Sequence, residues 1–408
     1  MLSTLSPQLR QYMLVTANYW AFTLTDGALR MLVVLHFYSL GYSGLAIAML
    51  FLFYEIFGVI TNLVGGWLGA RIGLNKTMNI GLLLQILALA MLLLPAQYLI
   101  VPWVMAAQAL SGIAKDLNKM SAKSSIKMLV ADNAQSTLFK WVAMLTGSKN
   151  ALKGIGFFLG GLLLSVYGFS LAILLLLLML AAVWLFSLWR LKADLGKSKT
   201  KPKFTELLSK SRAINVLSAA RMLLFGARDV WFVIALPLTL ASQFGWSHWA
   251  VGSFLALWVI GYGAVQSVAP LLTGSRSAAG KDAGRLPDGG TLTLWALLLC
   301  AIPAAIAVAF TQQWHSEYAL LGGLLLFGAV FAVNSSLHSY MIVSYAKSDG
   351  VSLDVGFYYM ANAMGRLIGT VLSGWVYQQA GLAACLWISS AMLVATVLVS
   401  TLLPKHQA

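Results

Sequence analysis

Twelve apolar stretches, each near the roughly 20 residues a helix needs to cross a bilayer, recur along the chain. They fall at about 12–38, 45–69, 77–95, 99–118, 139–164, 169–189, 213–240, 249–272, 291–311, 318–338, 352–377 and 382–403 of 408 residues. The expected fold class is therefore an all-α membrane protein with twelve transmembrane helices. Composition agrees: 60% of the residues are hydrophobic and 10% charged, where a soluble domain carries about a quarter charged residues. Such a composition argues against a water-soluble enzyme.

The connections set the orientation. Those between stretches 1–2, 3–4, 5–6, 7–8, 9–10 and 11–12 hold no lysine or arginine. The alternate connections and the termini carry Arg10, Arg71, Lys76, Lys123, Lys127, Arg190 through Arg212, Arg276, Lys281, Arg285, Lys347 and Lys405. The positive-inside bias then places both termini in the cytoplasm. The same bias accounts for the net charge of +15 without a nucleic-acid partner. Met1–Arg10 is short and polar and runs directly into the first stretch, which is expected to stay as a helix. Cys300 and Cys385 lie in apolar runs with neither a disulfide framework nor metal-ligand spacing, so no metal or cofactor is implied.

The basic run RLKADLGKSKTKPKFTELLSKSR at 190–212 divides the chain into an N-terminal six-helix half, 1–189, and a C-terminal one, 213–408. A short interfacial helix is expected near Phe204–Leu208. The halves repeat each other. Asp26 is followed by Gly41-Tyr42-Ser43, and Asp229 by Gly245-Trp246-Ser247, about 204 residues further on. Asn150-Ala-Leu-Lys153 with Gly156 is echoed by Asn362-Ala-Met-Gly-Arg366 with Gly369. Two such pseudo-symmetric halves joined by a cytoplasmic loop resemble the major facilitator arrangement.

Charges within spans are costly, about 2.5–3.5 kcal/mol each at a helix centre, and persist where a cavity, partner or ligand meets them. Spans 3, 6, 9 and 12, expected to form an outer, lipid-supporting set, have none, and neither do spans 8 and 10. Spans 1, 2, 4, 5, 7 and 11 together carry more basic than acidic groups, and an anionic small-molecule substrate is the economical counter-charge. The candidate anion-binding residues are Arg30, Lys149, Lys153, Arg228 and Arg366, with Asn150 and Asn362 beside them. Arginine's planar fork suits phosphate or carboxylate, and lysine adds a point charge.

Candidates for gating or charge pairing are Asp26, Glu55, Lys115, Asp116, Asp229 and Arg71. Asp26 and Arg30 stand at i,i+4 and either neutralise each other or leave Arg30 for the substrate. Arg228 and Asp229 are adjacent and are expected to point to different sides, so Arg228 meets either substrate or an acid on another helix. Glu55 is either a proton carrier or the partner of a cation across the cavity. Lys115, Lys119, Lys123 and Lys127 recur every fourth residue, as a funnel for anions or as membrane anchors. The anchoring reading makes Lys123 and Lys127 dispensable. No histidine has a spaced acid and nucleophile, so no enzyme is expected.

Gly66-Trp-Leu-Gly-Ala70-Arg71-Ile-Gly73-Leu-Asn-Lys76 resembles the loop 2–3 signature of major facilitators, with Ala70 in place of the acid that latches the halves. More specifically, NYWAFTLTDGALRMLVVLHF at 18–37, FLFYEIFGVITNLVGGWLGARIGLN at 51–75, AAQALSGIAKDLNKMSAKSSIK at 106–127 and TGSKNALKG at 146–154 resemble the ArsJ-type organoarsenical efflux permeases. That resemblance implies export of 1-arseno-3-phosphoglycerate, made when a glyceraldehyde-3-phosphate dehydrogenase uses arsenate. The ester decays outside, which gives arsenate resistance. Functional pairing with that dehydrogenase and a monomeric state are the partner expectations. The cations alone leave another phosphorylated or carboxylated organic anion open.

Overall fold

The computed structural model describes the chain except for residues 1–5, 43–46, 48–49, 132–133, 192–194, 200–210, 279–280, 284–285 and 405–408. The interfacial helix expected near Phe204–Leu208 lies outside the described residues. Helix α1 (Pro7–Ser39) starts at Ser6, whose side chain accepts the Leu9 amide. Next come α2 (Leu52–Ile72), α3 (Leu74–Met91) and α4 (Val101–Leu129). Gln135–Arg190 is one run broken at Gly168, giving α5 (135–167) and α6 (169–190). The segments Arg212–Phe232 and Ala235–Ser242 make up α7. Helices α8 (His248–Leu272), α9 (Gly289–Thr311) and α10 (Ser316–Tyr345) follow. Val351–Ser400 breaks at Gly381 into α11 (351–380) and α12 (382–400). A two-stranded antiparallel hairpin, Arg276–Ala278 with Lys281–Ala283, separates α8 from α9.

The described residues thus hold a helix for each of the twelve apolar stretches. Eight runs are long and apolar enough to cross a membrane, each broken run counting once. Helices α1 and α4 are outside that set because polar side chains interrupt them: Asn18, Asp26 and Arg30 in one, Lys115, Asp116, Lys119 and Lys123 in the other.

The repeat seen in sequence is also a repeat in packing. Gly168 and Gly381 break their helices with the same backbone, φ 71° and 73° with extended ψ, a left-handed φ that glycine adopts at no steric cost. The same sequence spacing that separates them also separates Gly156 from Gly369 and Lys153 from Arg366. Gly156 lies against Leu24, Gly27 and Ala28, so α5 crosses α1 backbone to backbone. Gly369 lies against Gly226 and Asp229, and Gly365 against the Met222 backbone, so α11 crosses α7 in the same manner.

The chain forms two compact units that are not its sequence halves. The first contains Met1–Asn133, Ser148–Leu208 and Ala346–Met360; the second contains Ala134–Gly147, Ser209–Tyr345 and Ala361–Ala408. Each unit therefore includes a short arm from the other half. In the first, the α11 arm is held where the Ser352 hydroxyl donates to the Gly66 carbonyl at 2.7 Å, with Gly356 against Gly66. In the second, the α5 arm is held where Gln135 accepts the Tyr340 and Ser344 hydroxyls at 3.3 and 3.2 Å, with Gly147 against Gly263 and Ser267.

Part of the linker is knitted into the first unit. The Leu74 amide donates to the Leu195 carbonyl and the Ser198 amide to the Ala70 carbonyl, both at 2.8 Å. The Lys199 amide donates to Asp349 at 3.1 Å on the same arm-bearing segment. The turn that lacks the usual acid at position 70 is thus gripped through its backbone. A buried relay, Asn18 to Ser187 at 2.8 Å and Ser187 to Asn79 at 2.6 Å, ties α1, α6 and α3. In the second unit, Trp231, Phe327, Phe331, Leu224 and Leu386 form an apolar core.

Candidate functional site

Each unit holds a cluster of buried and half-buried cations. In the first, α1, α2, α4 and α5 supply it. Asp26, 5% exposed, accepts the Tyr54 hydroxyl with both oxygens, at 2.9 and 3.1 Å. Arg30 reaches Glu55 at 3.8 Å and lies over the rings of Phe51 and Tyr54. The i,i+4 pairing of Asp26 with Arg30 gives way to these contacts because Tyr54 and Glu55, neighbours on α2, offer each group its own partner. Glu55 accordingly pairs with a cation from another helix.

One turn after another, α4 carries Lys115, Lys119 and Lys123. Lys115 sits 3.8 Å from the Tyr54 ring centroid and 3.8 Å from the Asp116 carboxylate. Lys119 donates to the other Asp116 oxygen at 2.6 Å. Lys123, only 3% exposed, donates to the Tyr359 hydroxyl at 2.5 Å, and Lys119 and Lys123 both lie over the Tyr359 ring, at 4.7 and 4.9 Å. On α5, Lys149 donates to Asn150 at 3.3 Å and feels the charges of Lys115, Lys119 and Lys123 as well as Asp26. Four lysines thus share Asp116 and Asp26. Lys153 is one turn beyond Lys149, with its ammonium 5.9 Å from the Phe157 centroid. Arg71 is exposed and stacks over Trp67, apart from this group.

In the second unit, Asp229 is fully buried and holds two arginines: Arg228, with contacts of 2.5 and 2.6 Å, and Arg366 from α11 at 3.2 Å. The expectation that Arg228 and Asp229 point apart is corrected. Adjacent residues diverge by about 100° around a helix, but the long arginine side chain folds back along the surface to the short carboxylate. Arg228 also lies over Phe225 and Phe331.

Arg221 is buried at 3% exposure and donates to Asn362 at 2.8 Å and to Ser335 at 3.2 Å. Asn362 is engaged with protein here, through that bond. Asn362→Ala is expected to destabilise the protein by about 1–3 kcal/mol, because it strips an acceptor from a buried guanidinium. Thermal unfolding of purified protein checks this, and an unchanged melting temperature counts against it.

Sequence reasoning missed Tyr54 and Tyr359, the aromatic faces of the lysine ladder. Nothing distinguished them among 14 tyrosines. The ladder itself was legible in its four-residue period, but its burial was not.

The Major Facilitator Superfamily profile matches residues 14–282. No curated protein matches the sequence. Among solved structures, the fold is similar to the human organic anion transporter MFSD10, at 17% identity and TM-score 0.76 over 97% of this chain and 100% of that one. It is also similar to a bacterial homologue of the iron transporter ferroportin in an outward-facing state, at 16% identity and TM-score 0.72 over 96% and 98%. The fucose:proton symporter of E. coli gives 13% identity and TM-score 0.72 over 97% and 99%. At these identities the likeness shows the fold alone.

Proposed function

This chain belongs to the Major Facilitator Superfamily, and we propose that within it the protein exports an organic anion, 1-arseno-3-phosphoglycerate, and so confers arsenate resistance. As a superfamily member it is a multi-pass membrane transporter of small molecules. The observation that carries the substrate reading is the excess of buried and half-buried cations: four lysines to two carboxylates in one cluster, and Arg221, Arg228 and Arg366 to Asp229 in the other. Such excess is expensive in a bilayer unless an anion supplies the missing charge. The proposed substrate, with a phosphate and an arsenate, supplies several negative charges. The ArsJ-like stretches at 18–37, 51–75, 106–127 and 146–154 point to the same ester.

On this reading the protein is a monomer in the bacterial inner membrane, termini inside, working beside the glyceraldehyde-3-phosphate dehydrogenase that makes its substrate. An anion leaving an inside-negative cell gains about 2.3 kcal/mol per charge per 100 mV. Decay of the ester outside keeps the opposing concentration low. Export then needs no proton coupling, and flux in inverted vesicles at clamped voltage is expected to ignore an imposed pH gradient.

The direct test is arsenate survival of arsenic-sensitive bacteria expressing the protein, with and without the dehydrogenase. Resistance only with the enzyme supports the ester as cargo. Resistance without it means an inorganic oxyanion is exported. No resistance with protein present in the membrane means a different organic anion.

A further inference from the structure

The lysine ladder has a feature beyond its charge: the oxygen its last member now holds belongs to an arm of the other sequence half. Tyr359 lies on the α11 segment that is part of the first unit, and its phenol oxygen accepts from Lys123 while Lys119 and Lys123 cover its ring. We propose that Lys115, Lys119, Lys123 and Lys149 form a subsite for a tetrahedral dianion such as a phosphate monoester, and that the Tyr359 hydroxyl occupies the position one of its oxygens takes. Anion binding and docking of the Tyr359 end of the α11 arm are then mutually exclusive, so cargo arrival releases that end. The inference rests on the reading of the chain as a carrier of a phosphorylated anion.

Three observations converge on it. The charge fits: four lysines face two carboxylates, Asp116 and Asp26, so the cluster is basic on balance, and a phosphate monoester carries about −1.5 to −2 at neutral pH. The geometry fits: lysines one turn apart stand about 5–6 Å from each other along α4, so their flexible stems can close on one small ligand. Ammonium groups suit it as point charges that meet a tetrahedral oxyanion from several sides. The competition also has a direction, because a phosphate oxygen brings the ammonium a full opposite charge, and that Coulomb attraction is missing from its bond to a neutral phenol. The phosphate therefore displaces the phenol. The arm's other attachments, Asp349 to the Lys199 amide, Ser352 to Gly66 and Gly356 against Gly66, stay in place and bring the Tyr359 end back when the anion leaves.

The experiment uses the full chain in phosphatidylcholine nanodiscs, with inorganic phosphate and 3-phosphoglycerate as probes. Calorimetry should show binding of both, weakened about tenfold by Lys119→Gln and by Lys123→Gln and tightened about tenfold by Tyr359→Phe, which removes only the competing oxygen. Hydrogen exchange of the 346–360 backbone should rise on adding 3-phosphoglycerate to the wild type. In Tyr359→Phe it should already be high and rise little further. Absence of phosphate binding, affinities that ignore both lysine variants, or arm exchange that stays level or falls at saturating 3-phosphoglycerate overturns the subsite. If Lys123→Gln fails to fold, the isosteric Tyr359→Phe and the wild-type exchange still decide. Resistance without any lysine effect on phosphate affinity removes the subsite and leaves the export reading. Lysine-dependent phosphate binding without export or resistance does the reverse.

Discussion

Arg228→Ala and Arg366→Ala are each expected to reduce export about 100-fold while leaving folded protein in the membrane. Each arginine offers the substrate charge-assisted hydrogen bonds, and losing two of them corresponds to about 3 kcal/mol, or roughly two orders of magnitude. Folding survives either single change because Asp229 keeps one of its two partners. Removing both is a different matter. It strips both arginines from a fully buried carboxylate, and breaking a buried pair in this way costs about 3–5 kcal/mol. The double variant should therefore fail to accumulate, and adding Asp229→Asn should restore its folding without restoring export. Vesicle uptake alongside thermal stability separates the two roles. Normal export by the rescued triple variant would show that these arginines serve structure alone.

The second large effect is on assembly. Gly365→Val is expected to abolish folded protein, because a side chain there runs into the carbonyl and Cα of Met222 on α7. Overpacking a core usually costs about 1–3 kcal/mol when side chains can yield. Backbone cannot yield without separating the helices, and in a membrane close approach of small residues is itself a main source of helix association. Gly161→Ala provides the contrast: its added methyl would meet only Leu35, at 3.8 Å. Size-exclusion profiles of the two variants should differ as aggregate and monodisperse peak, and a monodisperse Gly365→Val would contradict the backbone crossing.

Much of the fold was legible because the signals are local. Apolar length gave each helix, and the paired motifs around Asp26 and Asp229 gave the duplication. Gly156 and Gly369, legible only as matching members of the repeat, lie in the structure where α5 and α11 cross their partners. The candidate site was legible only by composition of each helix. That Arg30 meets Glu55 rather than Asp26, or that Arg228 bends back to Asp229, depends on rotamers of long side chains that no spacing encodes. Lys123 shows the same limit most sharply. As a cation near a helix end it reads as dispensable, yet its bond to Tyr359 joins residues 236 positions apart. The period of α4 announces a stripe of lysines, but only tertiary structure says what covers it.

The exchange of arms has a consequence for how this protein is made. The two halves resemble each other in sequence, but neither half alone contains every segment of a compact unit. When the first half leaves the ribosome, the site around Gly66 and Lys123 has no α11 arm to fill it, and the α5 arm has no Tyr340 or Ser344 to receive it. Completion waits on residues synthesised last. Severing the chain within the linker and producing the two pieces separately should leave each one unfinished, whereas producing them together should let each lend the other its missing helix turns.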